Sequence, residues 1–234
     1  MNCIRHPFRH IATAALLATS LASAHAASVT FSSNLLPMQL TDWASFADLQ
    51  QFDPSQGQLQ QVTLALFGDL SGSARAESRN NFPSTITLNL QATLALAWPG
   101  IKNANAGAVL LQTTPIVSSV FDAAARDNVL DFGGPSGVTL NNLAAASSTQ
   151  ASFSDAATLA LFTGSGLVSL PFSASGQSFA DGPGNLRFGF TTLAGGYAQV
   201  TYDFLPSPVP EPATWALLLG GVALMRWLVL RRAA

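Results

Sequence analysis

The sequence predicts an all-β fold: an antiparallel β-sandwich, with a jelly-roll-like strand arrangement equally compatible, an N-terminal signal peptide and a single C-terminal transmembrane helix. Three observations predict the fold. Apolar and polar residues alternate with a period of two in several runs. Clusters of Gly, Pro, Asn and Asp punctuate those runs at short intervals. Each run has one polar face, as a half-solvated antiparallel sheet requires.

In chain order, Val29 and Phe31 open the first strand. Residues 53–57, Asp-Pro-Ser-Gln-Gly, read as a turn, and Val62, Leu64 and Leu66 then resume the alternation. The longest run is 85–96, where Ile86, Leu88, Leu90, Ala92, Leu94 and Leu96 interleave with mostly polar residues. That pattern argues a long half-buried strand. Residues 109–120 supply another, broken at Pro115 because proline cannot donate to a ladder. Residues 123–128 are expected to make one helical turn, and the small, polar stretch 144–156 a loop. Residues 159–162 and 167–172 read as a hairpin around Thr163-Gly164-Ser165-Gly166. Leu186, Phe188 and Phe190 alternate, then Ala198, Val200, Tyr202 and Phe204, with Gly195-Gly196 read as the turn between them.

The two ends carry different signals. Arg5, His6, Arg9 and His10 give a positive start, residues 11–21 a short apolar stretch, and Ala24-His25-Ala26 a small-x-small site. Cleavage after Ala26 is expected. At the other end, residues 213–230 would extend roughly 27 Å as a helix, the short end of what crosses a bilayer. Trp215 and Trp227 near its ends suit the headgroup region, and Arg231 and Arg232 mark the cytoplasmic side. Arg226 interrupts the run, and a guanidinium costs ~2.5–3.5 kcal/mol at a helix centre. It lies close enough to the arginine pair for its stem to snorkel to the same interface. A buried terminal helix is the competing reading. The chain thus divides into signal peptide (1–26), ectodomain (27–205), proline-rich linker and sorting motif (206–212), and membrane helix with basic tail (213–234).

Val209-Pro210-Glu211-Pro212, the apolar helix and the terminal arginine cluster resemble the PEP-CTERM sorting signal of Gram-negative bacteria over residues 209–232. The resemblance implies that, after the secretion machinery and signal peptidase have acted, an exosortase recognises Pro210-Glu211-Pro212 at the outer face of the inner membrane. It also implies that the helix holds the substrate until processing, after which the product passes to the cell surface or beyond. Arg226 departs from that family's uninterrupted apolar run. Within the ectodomain, Phe52-Asp53-Pro54-Ser55 with Gly57, Leu59 and Val62-Thr63-Leu64 resembles the opening of the choice-of-anchor E family. Residues 196–202, Gly-Tyr-Ala-Gln-Val-Thr-Tyr, are similar to its close. That resemblance implies a β-rich exported domain joined to an interchangeable anchor, and no particular activity.

Composition excludes several classes. Residues 42–203 hold eleven carboxylates against five cations, a balance of −6, which repels phosphate backbones and argues against nucleic-acid partners. All three histidines and Cys3 lie within the first 26 residues. The remaining chain therefore lacks the Ser-His-Asp and Cys-His nucleophile systems, disulfides and the usual zinc ligands. Carboxylate chemistry survives, as a glycosidase-like acid and base or as a calcium site.

Three constellations follow. Asp122, Asp127, Asn128 and Asp131, followed by Gly133-Gly134, offer oxygen ligands for calcium, and are equally ordinary loop and cap residues. Residues 181–185 read as a turn, with a ligand-binding loop as the alternative. Trp43, Trp98 and Tyr197 offer rings that stack on sugars, or that pack on the core. The expectation is a non-enzymatic structural or adhesive component of the extracellular matrix, associated with exopolysaccharide or biofilm and needing no cofactor. A calcium-dependent carbohydrate-binding module and a carboxylate-dependent polysaccharide hydrolase are the alternatives.

Overall fold

The structure, a computed structural model, describes residues 26–99, 108–182, 184–207 and 212–232. Its strands are β1 (Ala27–Ser32), β2 (Leu36–Leu40), β3 (Trp43–Gln50), β4 (Gly57–Ser78), β5 (Ser84–Ala97) and β6 (Val109–Thr113). They continue with β7 (Ile116–Ala123), β8 (Gly137–Phe153), β9 (Leu167–Gly176), β10 (Phe179–Asp181) and β11 (Leu186–Pro206). Helices α1 (Ala156–Phe162) and α2 (Pro212–Arg232) complete the set, with one 3-10 turn at Pro54–Gln56.

All strand pairings between these elements are antiparallel, so the all-β antiparallel class read from the sequence is the one that forms. One sheet runs β1-β11-β4-β8 with β2 also on β11, and the other runs β10-β5-β9-β3 with β6 and β7 also on β5. Period-two alternation turns alternate side chains inward from each sheet. Val62, Leu64 and Leu66 of β4 and Val200 and Tyr202 of β11 meet Leu90 and Leu94 of β5, Leu170 and Phe172 of β9, and Leu49 of β3 in one buried cluster. The sheets therefore pack face to face. Each fully buried Leu or Phe there contributes about 1.5–3 kcal/mol of transfer free energy. A smaller cluster of Ala74, Ala76, Ile86, Leu88 and Ala123 fills the far end.

Four local expectations are corrected. Residues 159–162 belong to helix α1, not to a hairpin strand. Asp155 caps α1, accepting from the Thr158 amide at 3.0 Å and its hydroxyl at 2.7 Å, and Phe162 is buried at its end. The carboxylate at the N-cap satisfies amides that a helix start leaves orphaned. Residues 144–153 form most of β8, whose small and polar residues alternate between half-buried and exposed rather than looping. Residues 123–128 contain no helix; Asn128 has φ 69°, a left-handed conformation that a helical turn does not contain.

Gly195-Gly196 is no turn, because β11 runs straight through it. These glycines mark close backbone approach instead. A Cβ on Gly195 would lie 2.8 Å from the Leu36 carbonyl oxygen of β2, and one on Gly196 would run into the Phe67 carbonyl oxygen of β4. Gly196→Ala is accordingly expected to destabilise the fold by about 1–3 kcal/mol, the usual cost of overpacking, seen as a lower denaturant midpoint.

β8 ends its sheet and bears neither charge nor proline along its 17 residues. A register shift opposite Gly72 and Ala74, with Asn142 at φ 57°, interrupts that edge at one point, and a bulge of this kind is one of the devices that hinder strand addition.

Candidate functional site

The acidic loop joins β7 to β8. Asp122, at the end of β7, accepts from the Thr85 hydroxyl of β5 at 2.7 Å. Asp127 accepts from the Val129 amide at 2.8 Å and Asp131 from the Gly133 amide at 2.9 Å, so each carboxylate closes a local turn. Phe132 holds φ 56°, its carbonyl accepts from the Thr139 hydroxyl at 2.9 Å, and the Arg75 guanidinium lies 4.6 Å from the centre of its ring. The loop is thereby pinned to the outer face of the first sheet. Among the described residues no three His, Cys, Asp or Glu side chains converge as metal ligands, so Asp122, Asp127, Asn128 and Asp131 are not gathered into one carboxylate cage.

Beneath this loop lies a residue the sequence reading missed. Glu77 of β4 pairs with Gly137 of β8, is 1% exposed, and accepts from the Ser136 hydroxyl at 2.7 Å. Its other carboxylate oxygen, Oε2, has no hydrogen-bond partner. A glutamate inside a run of buried small residues, Ala74 and Ala76, was the available signal.

The aromatic candidates are partly taken up by packing. Trp43 stacks on Phe172 at 5.7 Å and donates from Nε1 to the Ala194 carbonyl at 3.2 Å. Trp98 is half-buried against the core and meets Phe153 edge-on at 5.7 Å. Tyr197 stacks on Phe67 at 4.7 Å, beside a hollow of about 440 Å³ that also contains Asp69, Ser147 and Ser148. A second hollow, about 640 Å³ and wide open, is lined by Pro83, Ser84, Thr85, Phe121, Asp122 and Pro135. Each hollow holds one carboxylate, whereas glycoside hydrolysis needs two in opposition. Of residues 181–185, Asp181 ends β10 and accepts from the Asn89 side-chain amide at 3.5 Å, and residue 183 lies outside the described residues.

Two exposed carboxylates are held below their usual range by hydrogen bonds. The Ser55 amide does this for Asp53, and the Thr158 hydroxyl, then its amide, for Asp155. Both are cap positions rather than reactive groups.

At the two ends, Ala24 of the expected cleavage site and Val209, Pro210 and Glu211 of the sorting motif lie outside the described residues, and Ala26 is exposed just before β1. Pro212 starts α2, which is about 31 Å long at 1.5 Å per residue. The side chain of Trp215 lies outside the described set. From Leu217 to Arg232, including Arg226, Trp227 and Arg231, every residue is exposed. Arg231 lies over the Trp227 ring, 4.0 Å from its centre. Among the described residues no helix is long and apolar enough to cross a membrane.

No family model matches the chain. No curated protein matches it either. Among solved structures, those of the infectious bursal disease virus Gx and Gt strains are similar at 13% identity over 84% and 90% of this chain, with TM-scores of 0.12 and 0.11. The chain spans about half the length of those two, 47% and 52%. A likeness that faint carries no argument about fold or function.

Proposed function

We propose that the chain is an exported cell-envelope protein, sorted by its C-terminal segment, and that its β domain serves as a structural or adhesive component of the extracellular matrix. The observation that carries this reading is α2, apolar on all sides yet exposed along all its described side chains. A helix hydrophobic all round needs an apolar surrounding. The domain does not supply one, and a bilayer does. The described side chains begin only at Leu217; taken from residue 213, the sequence restores a run of roughly 27 Å. Strand β1 begins at Ala27, so the expected cut after Ala26 leaves the sheet whole.

The outer face of the first sheet supports association with neutral polysaccharide. Thr30, Thr201, Thr63 and Ser152 lie in register across four strands, with hydroxyl contacts of 2.9 Å and 2.8 Å between the outer pairs. Such a row offers hydroxyl donors and acceptors without charge. Away from its register shift, the edge of β8 carries neither charge nor proline, which supports assembly by strand addition.

The test compares the mass of the native exported protein with its encoded length, in cells with and without an exosortase. The expected result is a loss of about 25 residues at each end, with the C-terminal loss confined to exosortase-positive cells. An identical C-terminus in both strains would sink the sorting assignment.

A further inference from the structure

Glu77 poses an electrostatic problem that its neighbours leave unsolved. It is 1% exposed, and among the described residues its side chain's one hydrogen-bond partner is the Ser136 hydroxyl, itself fully buried. A charged carboxylate withdrawn from water needs hydrogen bonds to both oxygens, a cationic partner or a metal, and otherwise takes up a proton. Oε2 has no hydrogen bond. The nearby guanidinium on the same strand, Arg75, is engaged over the Phe132 ring.

A glycine lets Oε2 pack against the backbone of β8. A Cβ on Gly137, opposite Glu77 in the ladder, would collide with Oε2, and would lie 2.6 Å from the nitrogen and 2.7 Å from the oxygen of Gly133. Oε2 and the Gly133 peptide group thus both lie against Gly137. The Ser136 hydroxyl adjoins the other carboxylate oxygen. Asp127 and Asp131 stand on the same loop; they do not converge with Glu77 as a ready-made cage, and the turns they close engage only one oxygen of each. Every donor in this set is oxygen, which selects a hard cation. A mixture of one buried carboxylate, a peptide carbonyl, a hydroxyl and water suits calcium, which tolerates irregular shells of six to eight ligands, better than magnesium, which demands a regular octahedron.

We propose that Glu77 and the loop from Asp127 to Ser136 form a calcium site, with Glu77 Oε2 and the Gly133 carbonyl at its centre. The ion neutralises the buried carboxylate and clamps the β7–β8 loop to the first sheet. This site is independent of how the chain is sorted. It differs from a cage built of Asp122, Asp127, Asn128 and Asp131, because Asp122 is turned to Thr85 and Glu77 takes the central place.

The experiment uses the full chain in detergent, with calcium itself as the probe. Equilibrium dialysis should find one calcium ion per chain, with a Kd of about 10⁻⁴–10⁻³ M as in extracellular modules. At 10 mM calcium the melting temperature should rise by about 4–8 °C, and chelator should reverse the rise. Magnesium at the same concentration should give less than about half that shift. Glu77→Gln keeps the shape and the Ser136 contact, and should abolish the shift while weakening binding at least tenfold; Asp122→Asn should change neither. Coincident curves with calcium and chelator, an undiminished shift in Glu77→Gln, or equal shifts from calcium and magnesium would each overturn the proposal. If Glu77→Gln does not fold, dialysis of the wild-type chain decides, one bound ion supporting the site and none removing it.

Discussion

A chain ending at Ser207 should leave the membrane fraction almost entirely and appear as soluble protein, while its domain melts within about 2 °C of the full-length chain. The first half of that expectation comes from the tail's composition. Six leucines and two valines between residues 213 and 230 contribute roughly −2 to −5 kcal/mol to insertion. Against them stands Arg226, at ~2.5–3.5 kcal/mol if it stayed at the helix centre. The balance is narrow, and it favours insertion only when the Arg226 stem reaches the interface held by Arg231 and Arg232. Arg226→Leu should therefore strengthen membrane retention, and moving the arginine to position 221 should weaken it. The second half comes from packing. The exposed side chains of α2 contribute nothing to the buried clusters, so their removal takes no apolar contact from the core. Carbonate extraction and thermal melting of the truncated and full-length chains check both halves together. Retention of the truncated chain in the membrane would show that α2 is not the anchor, and a melting point lowered by more than about 5 °C would show that α2 belongs to the domain.

What could be read from the sequence depended on how strongly burial contrasts along each strand. β5 was legible because six apolar residues, Ile86 to Leu96, are all fully buried and their neighbours are mostly polar. β8 was not, because it lies at the edge of its sheet and only half-buries its inward residues, so Ala, Ser and Thr suffice on both faces. α1 is seven residues long, too short for a 3.6-residue period to stand out from a period of two, though the Asp155 cap was a usable signal. The Gly195-Gly196 pair carries the same letters whether it bends the chain or lets β2 and β4 approach it, and only the pairing decides. Glu77 went unnoticed for a similar reason. Its partners, Ser136 and Gly137, stand about sixty positions away, and nothing local marks the pairing. As a helix, α2 was the most legible element, since its apolar run is contiguous in the sequence.

Phe52→Ala should cost about 3–5 kcal/mol, enough to lower the melting temperature by roughly 6–20 °C. Phe52 is 1% exposed and its ring lies 5.0 Å from Phe204 and 5.7 Å from Tyr202, so truncation opens a cavity where three aromatic rings close one end of the core. Its backbone also ties α1 to the sheets, donating to the Phe162 carbonyl at 2.8 Å and accepting from the Gly164 amide at 2.9 Å. Tyr202→Phe separates volume from polarity in the same cluster. It keeps the ring and removes one hydrogen bond, that from the Tyr202 hydroxyl to the Gln50 carbonyl at 2.6 Å, for a loss of about 1 kcal/mol near neutral pH. The two variants also part on raising the pH. Burial pushes the Tyr202 phenol well above the ordinary tyrosine range. The folded chain therefore keeps a proton that the unfolded chain releases near pH 10. Stability from this group is intact below that pH and falls as pH rises beyond it, because the unfolded state binds fewer protons. Wild type should thus lose melting temperature between pH 10 and 11.5 faster than Tyr202→Phe, while Phe52→Ala, with its cavity beside the phenol, should show a shallower alkaline slope than wild type. Parallel alkaline slopes for wild type and Tyr202→Phe would mean that the phenol meets water in the folded chain, and that the aromatic end of the core is open.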